Sequence, residues 1–380
     1  MRRAMAFVFA LLVLAACSAA CADDVTTVRL YGLGLTIDLP DNLLVLTPGL
    51  AAGDPVYEAL DMTPVEAHEK LGKGCNLFYA TSADNAVTCD LSLIEGYRFQ
   101  ESLESMGEWA LRDVLKQLYD IMAEAAHAGS AKEIETIESF IPAHDFLRIC
   151  AAAACGYDGD DFWMAAIYVF ERGDYTLMLT CGEETPRESV SAETFSDFRA
   201  RSDAIALSVA RDDDLTDADA HRFTDPFTGM SFAVPDNLMQ WPGPKTDTGE
   251  HIFFVEFVKN DEEGRRMAGF AFHTEDFAEN YNASNLNGPI SRETAAAWLA
   301  IPKNARRLFI EDYISEFEAF AVNGHVCYRF LLYDMDYDEK HTYVLYPQDG
   351  YICHLHLGGD EAYPLYPVFE SVVNSMEFAK

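Results

Sequence analysis

Basic residues are scarce in this chain of 380 residues, which has 27 lysines and arginines against 63 aspartates and glutamates. The formal charge of −36 disfavours nucleic acid and anionic lipid headgroups as partners. An acidic surface favours a divalent cation or a basic protein instead, and it can also serve solubility alone. Because 49% of the residues are apolar and the length suits two domains, each domain can bury a core.

Long apolar runs are lacking beyond the N-terminus. After residue 22 no stretch approaches the roughly 20 residues that a membrane-spanning helix needs. Residues 1–22 predict an export signal, because Arg2 and Arg3 precede an uninterrupted apolar run at residues 4–16.

Two cleavage sites remain open in this leader. Residues 14–17 (LAAC) resemble a bacterial lipobox, which would make Cys17 the lipidated N-terminus. Residues 20–22 (ACA) offer an ordinary signal-peptidase site instead. Both sites predict an extracytoplasmic protein, and we favour the lipid-anchored form, with the membrane reached only through that anchor.

The cysteine pattern does not predict a full disulfide framework. An odd number of cysteines follows the leader: Cys75, Cys89, Cys150, Cys155, Cys181, Cys327 and Cys353. Cys150 and Cys155 should face opposite sides of one strand, because their spacing is odd. Cys327 and Cys353 fall on the first and third strands of a predicted meander, about 9–10 Å apart and beyond a disulfide's reach.

The familiar catalytic motifs are absent from the sequence. It has no G-x-S-x-G, no H-E-x-x-H, no C-x-x-C and no phosphate-binding loop. Residues 32–34 (GLG) lack the third glycine of a dinucleotide fingerprint and precede a strand, so they predict a turn. We therefore name no catalytic or cofactor-binding residue and expect a protein that is not an enzyme.

A repeat is the most informative feature that is present. Residues 34–43 (GLTIDLPDNL) return as residues 229–238 (GMSFAVPDNL), and each copy is an alternating strand that leads into a Pro-Asp-Asn turn. The strands that begin at Tyr175 and at Tyr351 also correspond to each other. A repeat of this length predicts two units of one fold.

Helices are predicted in both units. Residues 185–188 combine a capping box with a proline, which predicts the start of a closing helix in the first unit, and Pro367 precedes its counterpart. A middle helix is predicted at residues 105–129, with Ile121 on its apolar stripe, and a shorter one at residues 291–300.

We expect a first domain at residues 25–210, an acidic linker at 211–220 and a second, shorter domain at 221–380. Amphipathic helices need a sheet face to cover. The predicted fold class is therefore α+β, with an antiparallel sheet flanked by helices in each of two tandem domains.

This order of elements resembles the PsbP-like fold, an α/β/α sandwich. The motifs that carry the resemblance are the openings at residues 34–43 and 229–238, the strands at Tyr175 and Tyr351, and the helix tails at residues 207–209 and 374–378. Leu43 and Leu238 stand where the family commonly has tryptophan. The resemblance implies a non-catalytic binding or assembly module, and it does not identify the partner.

Two acidic segments are candidate cation sites. Asp334, Asp336 and Asp338 have the spacing of the first ligands of a calcium loop, but the glycine and the closing glutamate of an EF-hand are missing. Asp158 and Asp160 mark the matching segment of the first unit. Calcium or manganese binding at these segments is one interpretation, and solvated hairpin ends are the other.

Three histidines offer a second possible metal site. His354 and His356 lie two apart on a predicted strand, so they share a face, and His341 lies on the preceding strand. Imidazole ligands suit transition metals, although packed or solvated histidines are the alternative.

These observations together predict an extracytoplasmic binding protein without catalytic activity. A cell-envelope assembly or structural factor that recognises a basic protein is the alternative, and an unrecognised hydrolase is a weaker one.

Overall fold

In the computed structural model, two seven-stranded antiparallel sheets form the body of the chain. The structure describes residues 25–51, 53–94, 102–127, 132–212, 220–242, 253–260, 266–276, 290–294, 314–334, 339–348, 351–359 and 364–378. The predicted leader, including Cys17, lies outside these residues. Within the described ranges, no helix has both the length and the apolar character to cross a membrane.

Within its described residues, the first unit contains ten strands and four helices. Its strands are β1 (Val25–Leu30), β2 (Leu35–Pro40), β3 (Leu44–Leu46), β4 (Asn76–Thr81), β5 (Val87–Leu93), β6 (Lys132–Phe140), β7 (Cys150–Asp158), β8 (Asp161–Arg172), β9 (Tyr175–Pro186) and β10 (Ala210–Arg211). Its helices are α1 (Pro55–Ala59), α2 (Pro64–Lys73), α3 (Glu108–His127) and α4 (Thr194–Leu207). The large sheet has the order β3-β4-β5-β9-β8-β7-β6, and β1, β2 and β10 form a small sheet.

The second unit repeats this plan. Its strands are β11 (Ala220–Thr224), β12 (Ser231–Pro235), β13 (Leu238–Pro242), β14 (Phe253–Asn260), β15 (Arg266–Asp276), β16 (Ile314–Val322), β17 (His325–Asp334), β18 (Glu339–Gln348) and β19 (Tyr351–Gly358), and helix α5 is Tyr366–Asn374. The large sheet has the order β13-β14-β15-β19-β18-β17-β16. This order is the first unit's order strand for strand, so the predicted fold class of two tandem antiparallel sheet domains is confirmed.

The serine of each helix tail holds the repeated strand in the same way. Ser208 Oγ accepts a hydrogen bond of 2.9 Å from the N–H of Asp38, and Ser375 Oγ accepts one of 2.9 Å from the N–H of Ala233. In both units the same hydroxyl donates to the carbonyl three residues earlier in the helix, at 2.7 Å. The shared serine therefore ties the end of the closing helix to the strand that opens the unit.

Both faces of the first unit's large sheet are covered. One face packs against β1, β2 and α4, and the other packs against α3. On β7, Cys155 belongs to the first of these cores and Cys150 to the second, so the prediction that they face opposite sides is confirmed. In the second unit, β11, β12 and α5 cover the equivalent of the first face.

Two details of the predicted helices are wrong. Strand β9 continues to Pro186, which pairs with Asp161, and a 3-10 turn follows, so α4 begins only at Thr194. In α3, Ile121 is 51% exposed and Met122 is buried instead, because the helix presents the stripe of Val114 and Leu118 to the sheet.

The first and last residues of the predicted linker, Arg211 and Ala220, belong to strands. Strand β10 pairs with β2, and the N–H of Asp212 donates to the Gly34 carbonyl at 3.0 Å, so both belong to the first unit's small sheet. Strand β11 starts at Ala220. Residues 213–219 of the predicted linker lie outside the described part of the chain.

Candidate functional site

The two units meet where the β1–β2 turn of the first touches β13 and β14 of the second. Gly32 adopts a φ of +69°, and a Cβ at this position would lie 2.0 Å from the backbone nitrogen of Met239. Its N–H donates to the Asp236 carbonyl at 3.1 Å, and its carbonyl accepts from Asn260 Nδ2 at 2.8 Å. Only glycine fits this approach, so the contact between the turn and Met239 requires glycine at position 32.

A polar cluster surrounds this junction. The Tyr31 ring stacks on His221 with centroids 3.9 Å apart, and His221 Nδ1 lies 2.8 Å from an Asp236 carboxylate oxygen. Burial lowers the pKa of His221, while Asp236 opposes that shift. The side-chain amide of Gln240 contacts Nε2 of the same ring. This Asp–His pair therefore presents no open ring nitrogen to a substrate, and it resembles a structural contact rather than a catalytic dyad.

A cleft of about 420 Å³ opens beside the junction. It lies between the β8–β9 turn of the first unit and strands β14, β15 and β19 of the second. Residues that define its walls and floor include Asp174, Glu256, Arg266, Gly269, His356 and Gly358. Its volume falls within the range of sites that bind small molecules.

Carboxylates from both units converge on Arg266 in this cleft. The backbone N–H of Arg266 donates to the Asp174 carboxylate at 3.0 Å, and its guanidinium pairs with the Glu256 carboxylate. Burial raises the pKa of Glu256, and the charge of Arg266 counteracts that rise. Nearby, the Tyr175 hydroxyl donates to Asn260 Oδ1 at 2.7 Å, which holds the cleft walls together.

The floor of the cleft is built from glycines and a histidine. His356 Nε2 lies 2.9 Å from His341 Nδ1, and a Cβ on Gly358 would come within 2.8 Å of that His341 nitrogen. The missing side chain at Gly358 therefore lets the two imidazoles meet. Burial and the neighbouring His341 lower the pKa of His356 to about 3, so the ring is neutral at neutral pH.

The histidine face, as we call the sheet face that carries His273, His341, His354 and His356, bears a ladder of stacked rings. His273 and His354 are direct cross-strand partners with ring centroids 4.3 Å apart and planes within 12°. Tyr343 stacks on His356 at 4.4 Å. The ladder extends outward through Phe254 on one side and Phe330 on the other.

Sequence reasoning identified His341, His354 and His356 and missed His273, Tyr343 and the cleft. The alternation of β15 places His273 on a definite face. Its pairing with His354 depends on β19 lying next to β15, which no local pattern reveals.

The structure describes only some of the other predicted metal ligands. Asp158 and Asp160 are exposed at the β7–β8 hairpin. Asp334 is the last residue of β17, and Asp336 and Asp338 lie outside the described residues. Among the residues that are described, no group of three or more His, Cys, Asp or Glu side chains is arranged to hold a metal ion. Calcium or manganese binding stays a prediction.

Comparison with known proteins gives only distant likenesses. No family model and no curated protein matches the chain. The solution structure of cyanobacterial PsbP from Synechocystis sp. PCC 6803 is similar at 14% identity and a TM-score of 0.31, over 43% of this chain and 94% of that one. The apo structure of the T6SS immunity protein TplEi from Pseudomonas aeruginosa is similar at 9% identity and a TM-score of 0.24, over 93% of this chain and 97% of that one. A Tle4–Tli4 complex is similar at 8% identity and a TM-score of 0.24, covering 93% and 97%. The site is therefore interpreted from its own residues.

Proposed function

We propose that the protein is a non-catalytic extracytoplasmic binding protein that recognises a basic segment of another protein at the cleft. The observation that carries this proposal is the pair of carboxylates, Asp174 and Glu256, which the two units contribute to one open cavity. Lysine or arginine side chains of a partner are the natural ligands for such a pair.

Arg266 supports this choice of ligand. Its guanidinium already pairs with Glu256, so the cleft accepts the chemical group that a partner would bring. Arg266 is 45% exposed at its side chain, which leaves it free to rotate aside when an incoming cation replaces it. The neutral His356 adds no positive charge that would repel a basic ligand, and the charge of −36 steers one toward the surface.

The proposed location follows from the leader. A lipobox cysteine at Cys17 would anchor the mature chain to a membrane on its outer side, and cleavage after Ala22 would release it instead. Mass spectrometry of the mature N-terminus distinguishes a diacylated Cys17 from a free Asp23.

The alternative, a cell-envelope assembly factor, draws support from the sheet edges. Strands β6 and β16 occupy the same outer position in the two large sheets, and each has nine residues. Glu135 and Glu318 are exposed on them. An extended basic segment can add to such an edge through backbone hydrogen bonds. Bulges in both strands limit this pairing, because they interrupt the regular ladder.

Peptide binding with matched variants tests the proposal. The probe is a fluorescent lysine-rich peptide of 12 residues, compared with a version in which glutamines replace the lysines, at physiological salt. We expect Glu256→Gln to weaken binding about tenfold or more, because one charge-assisted hydrogen bond is lost. Glu124→Gln removes the same charge from the exposed surface of α3 and should leave affinity unchanged.

Other results would redirect or reject the proposal. A loss that follows Glu135→Gln or Glu318→Gln, and not Glu256→Gln, favours the edge-strand alternative. Equal effects of Glu256→Gln and Glu124→Gln mean that only net charge matters, which contradicts a defined cleft site. The cation variant is tested separately by calorimetry with calcium and manganese, where no heat at millimolar metal removes it.

A further inference from the structure

Two buried cysteines face each other across the centre of the first unit's large sheet. Cys89 on β5 and Cys181 on β9 are direct cross-strand partners, and their sulfur atoms lie 3.8 Å apart. We propose that Cys89 and Cys181 form an intramolecular disulfide when the protein matures outside the cytoplasm. This inference rests on the proposed extracytoplasmic location and is independent of what the cleft binds.

The strand register supports the pairing. The N–H of Glu184 donates to the carbonyl of Ala86 at 2.9 Å, so these opposed residues form a hydrogen-bonded pair. Hydrogen-bonded and non-hydrogen-bonded pairs alternate along an antiparallel ladder, and Cys89 with Cys181 falls three positions further, in the non-hydrogen-bonded class. The other end of the same strand pair shows the same alternation.

Non-hydrogen-bonded pairs have the shorter Cα separation, about 4.5 Å, which lies within the range that disulfides span. The sulfur atoms must approach from 3.8 Å to about 2.05 Å, a change that rotation about the two Cα–Cβ bonds can supply. No backbone shift is required, because the two residues are already opposed without a bulge between them.

The chemistry requires an oxidant, and a disulfide-bearing protein or small molecule is the proposed one. The thiolate of one cysteine attacks the oxidant's disulfide and releases one thiol. The thiolate of the second cysteine then attacks the mixed disulfide and releases the other. Two cysteine thiols are oxidised to one disulfide, and the oxidant's disulfide is reduced to two thiols.

Burial sets the time at which this exchange occurs. Cys89 and Cys181 are 1% and 3% exposed, so an oxidant reaches them only before the core closes. In the folded chain the hydrogen bond with Cys181, together with burial, holds the pKa of the Cys89 thiol well above its usual value. The mixed disulfide therefore forms during folding, and the pairing of β5 with β9 delivers the second thiol.

The bond would cross-link the two halves of one sheet. Strands β3 to β5 precede helix α3 in sequence and β6 to β9 follow it, and β5 against β9 is where the halves join. The corresponding strand pair of the second unit opposes Cys353 with Thr274, which cannot form a disulfide. Across this strand pair, only the first unit can therefore form a disulfide.

The test uses the full chain, refolded with oxidised and reduced glutathione, then denatured and alkylated without reduction. We expect two cysteines to escape alkylation and a cross-linked peptide containing Cys89 and Cys181 to disappear after reduction. A bond that closes a long loop should also raise Tm by about 5–15 °C relative to the reduced protein. The Cys89→Ala/Cys181→Ala variant should show no effect of reductant on Tm, whereas Cys150→Ala should keep it.

Complete alkylation of every cysteine after oxidative refolding would overturn the inference, as would a bridge between other cysteines. The wild-type chain alone decides this outcome, so the result does not depend on whether the alanine variants fold.

Discussion

The backbone N–H of Gly32 donates a 3.1 Å hydrogen bond to the carbonyl of Asp236, across the junction of the two units. Asp236 belongs to the second copy of the repeated Pro-Asp-Asn turn. In the first copy the same position is Asp41, which is exposed. One copy of the duplicated turn has therefore become a docking point for the other unit, and the cleft lies beside it.

The substitution Gly32→Ala should separate the units. A Cβ would collide with the backbone of Met239, and the positive φ adds strain. Gly159→Ala is the matched control, since Gly159 has a φ of +64° and nothing within 4 Å of its added Cβ. We expect Gly32→Ala to reduce the free energy of unfolding by at least about 2 kcal/mol more than Gly159→Ala. Denaturant unfolding measures both, and equal losses would mean that the junction contributes nothing.

The two tail serines should be equivalent in their effect on stability. Ser208→Ala and Ser375→Ala each remove the acceptor of a strand N–H, and we expect each to cost about 1–3 kcal/mol in the unfolding of its unit. Ser196→Ala, at an exposed serine of α4, should change stability by less than about 0.5 kcal/mol. Urea titrations of the three variants measure this, and a large effect in only one unit would show that the repeat is not energetically equivalent.

Acid should act on stability through two histidines, His68, which is buried, and His356, which is half-buried at the floor of the cleft. Burial lowers the pKa of His68 to about 3, and burial with His341 lowers that of His356 to about 3. At these two positions the unfolded chain therefore binds more protons than the folded chain between pH 6.5 and about 3. The stability that the two histidines contribute falls as pH decreases through this window, by up to about 1.4 kcal/mol per pH unit for each histidine, whereas Asp90, whose pKa burial raises to about 6, contributes in the opposite direction.

Thermal unfolding between pH 7 and pH 4 measures this dependence. His68→Gln removes one titrating group, so its Tm should fall less steeply with acid than that of the wild type. Parallel slopes for His68→Gln and the wild type would contradict the assignment.

The tandem plan could be predicted from the sequence because its signals are local. The repeat at residues 34–43 and 229–238 and the alternating strands depend on neighbouring residues only. The sequence pattern predicts the start of helix α4 too early. The capping pattern at residues 185–188 competes with cross-strand pairing, and Pro186 belongs to β9. Pairing with β8 extends β9 through Thr185 and Pro186, so these residues are in extended backbone where the capping pattern predicts the first turn of a helix.

The cleft could not be predicted, because it depends on contacts between distant segments. Gly32 lies in a turn whose φ of +69° already favours glycine, so the sequence does not reveal that this turn approaches the backbone of Met239. Asp174 and Glu256 come from different units, and both carboxylates contact Arg266. Periodicity assigns a residue to a face but does not give its neighbour on the next strand.

Hydrogen–deuterium exchange of the full chain, with and without the lysine-rich peptide, tests most directly whether the cleft is the binding site. Binding there should slow exchange in the β8–β9 turn around Asp174 and in β15 from Arg266 onward, while the edge strands β6 and β16 exchange as before. Protection confined to β6 or β16, or no protection at a peptide concentration that saturates the fluorescence signal, would contradict the assignment of the cleft.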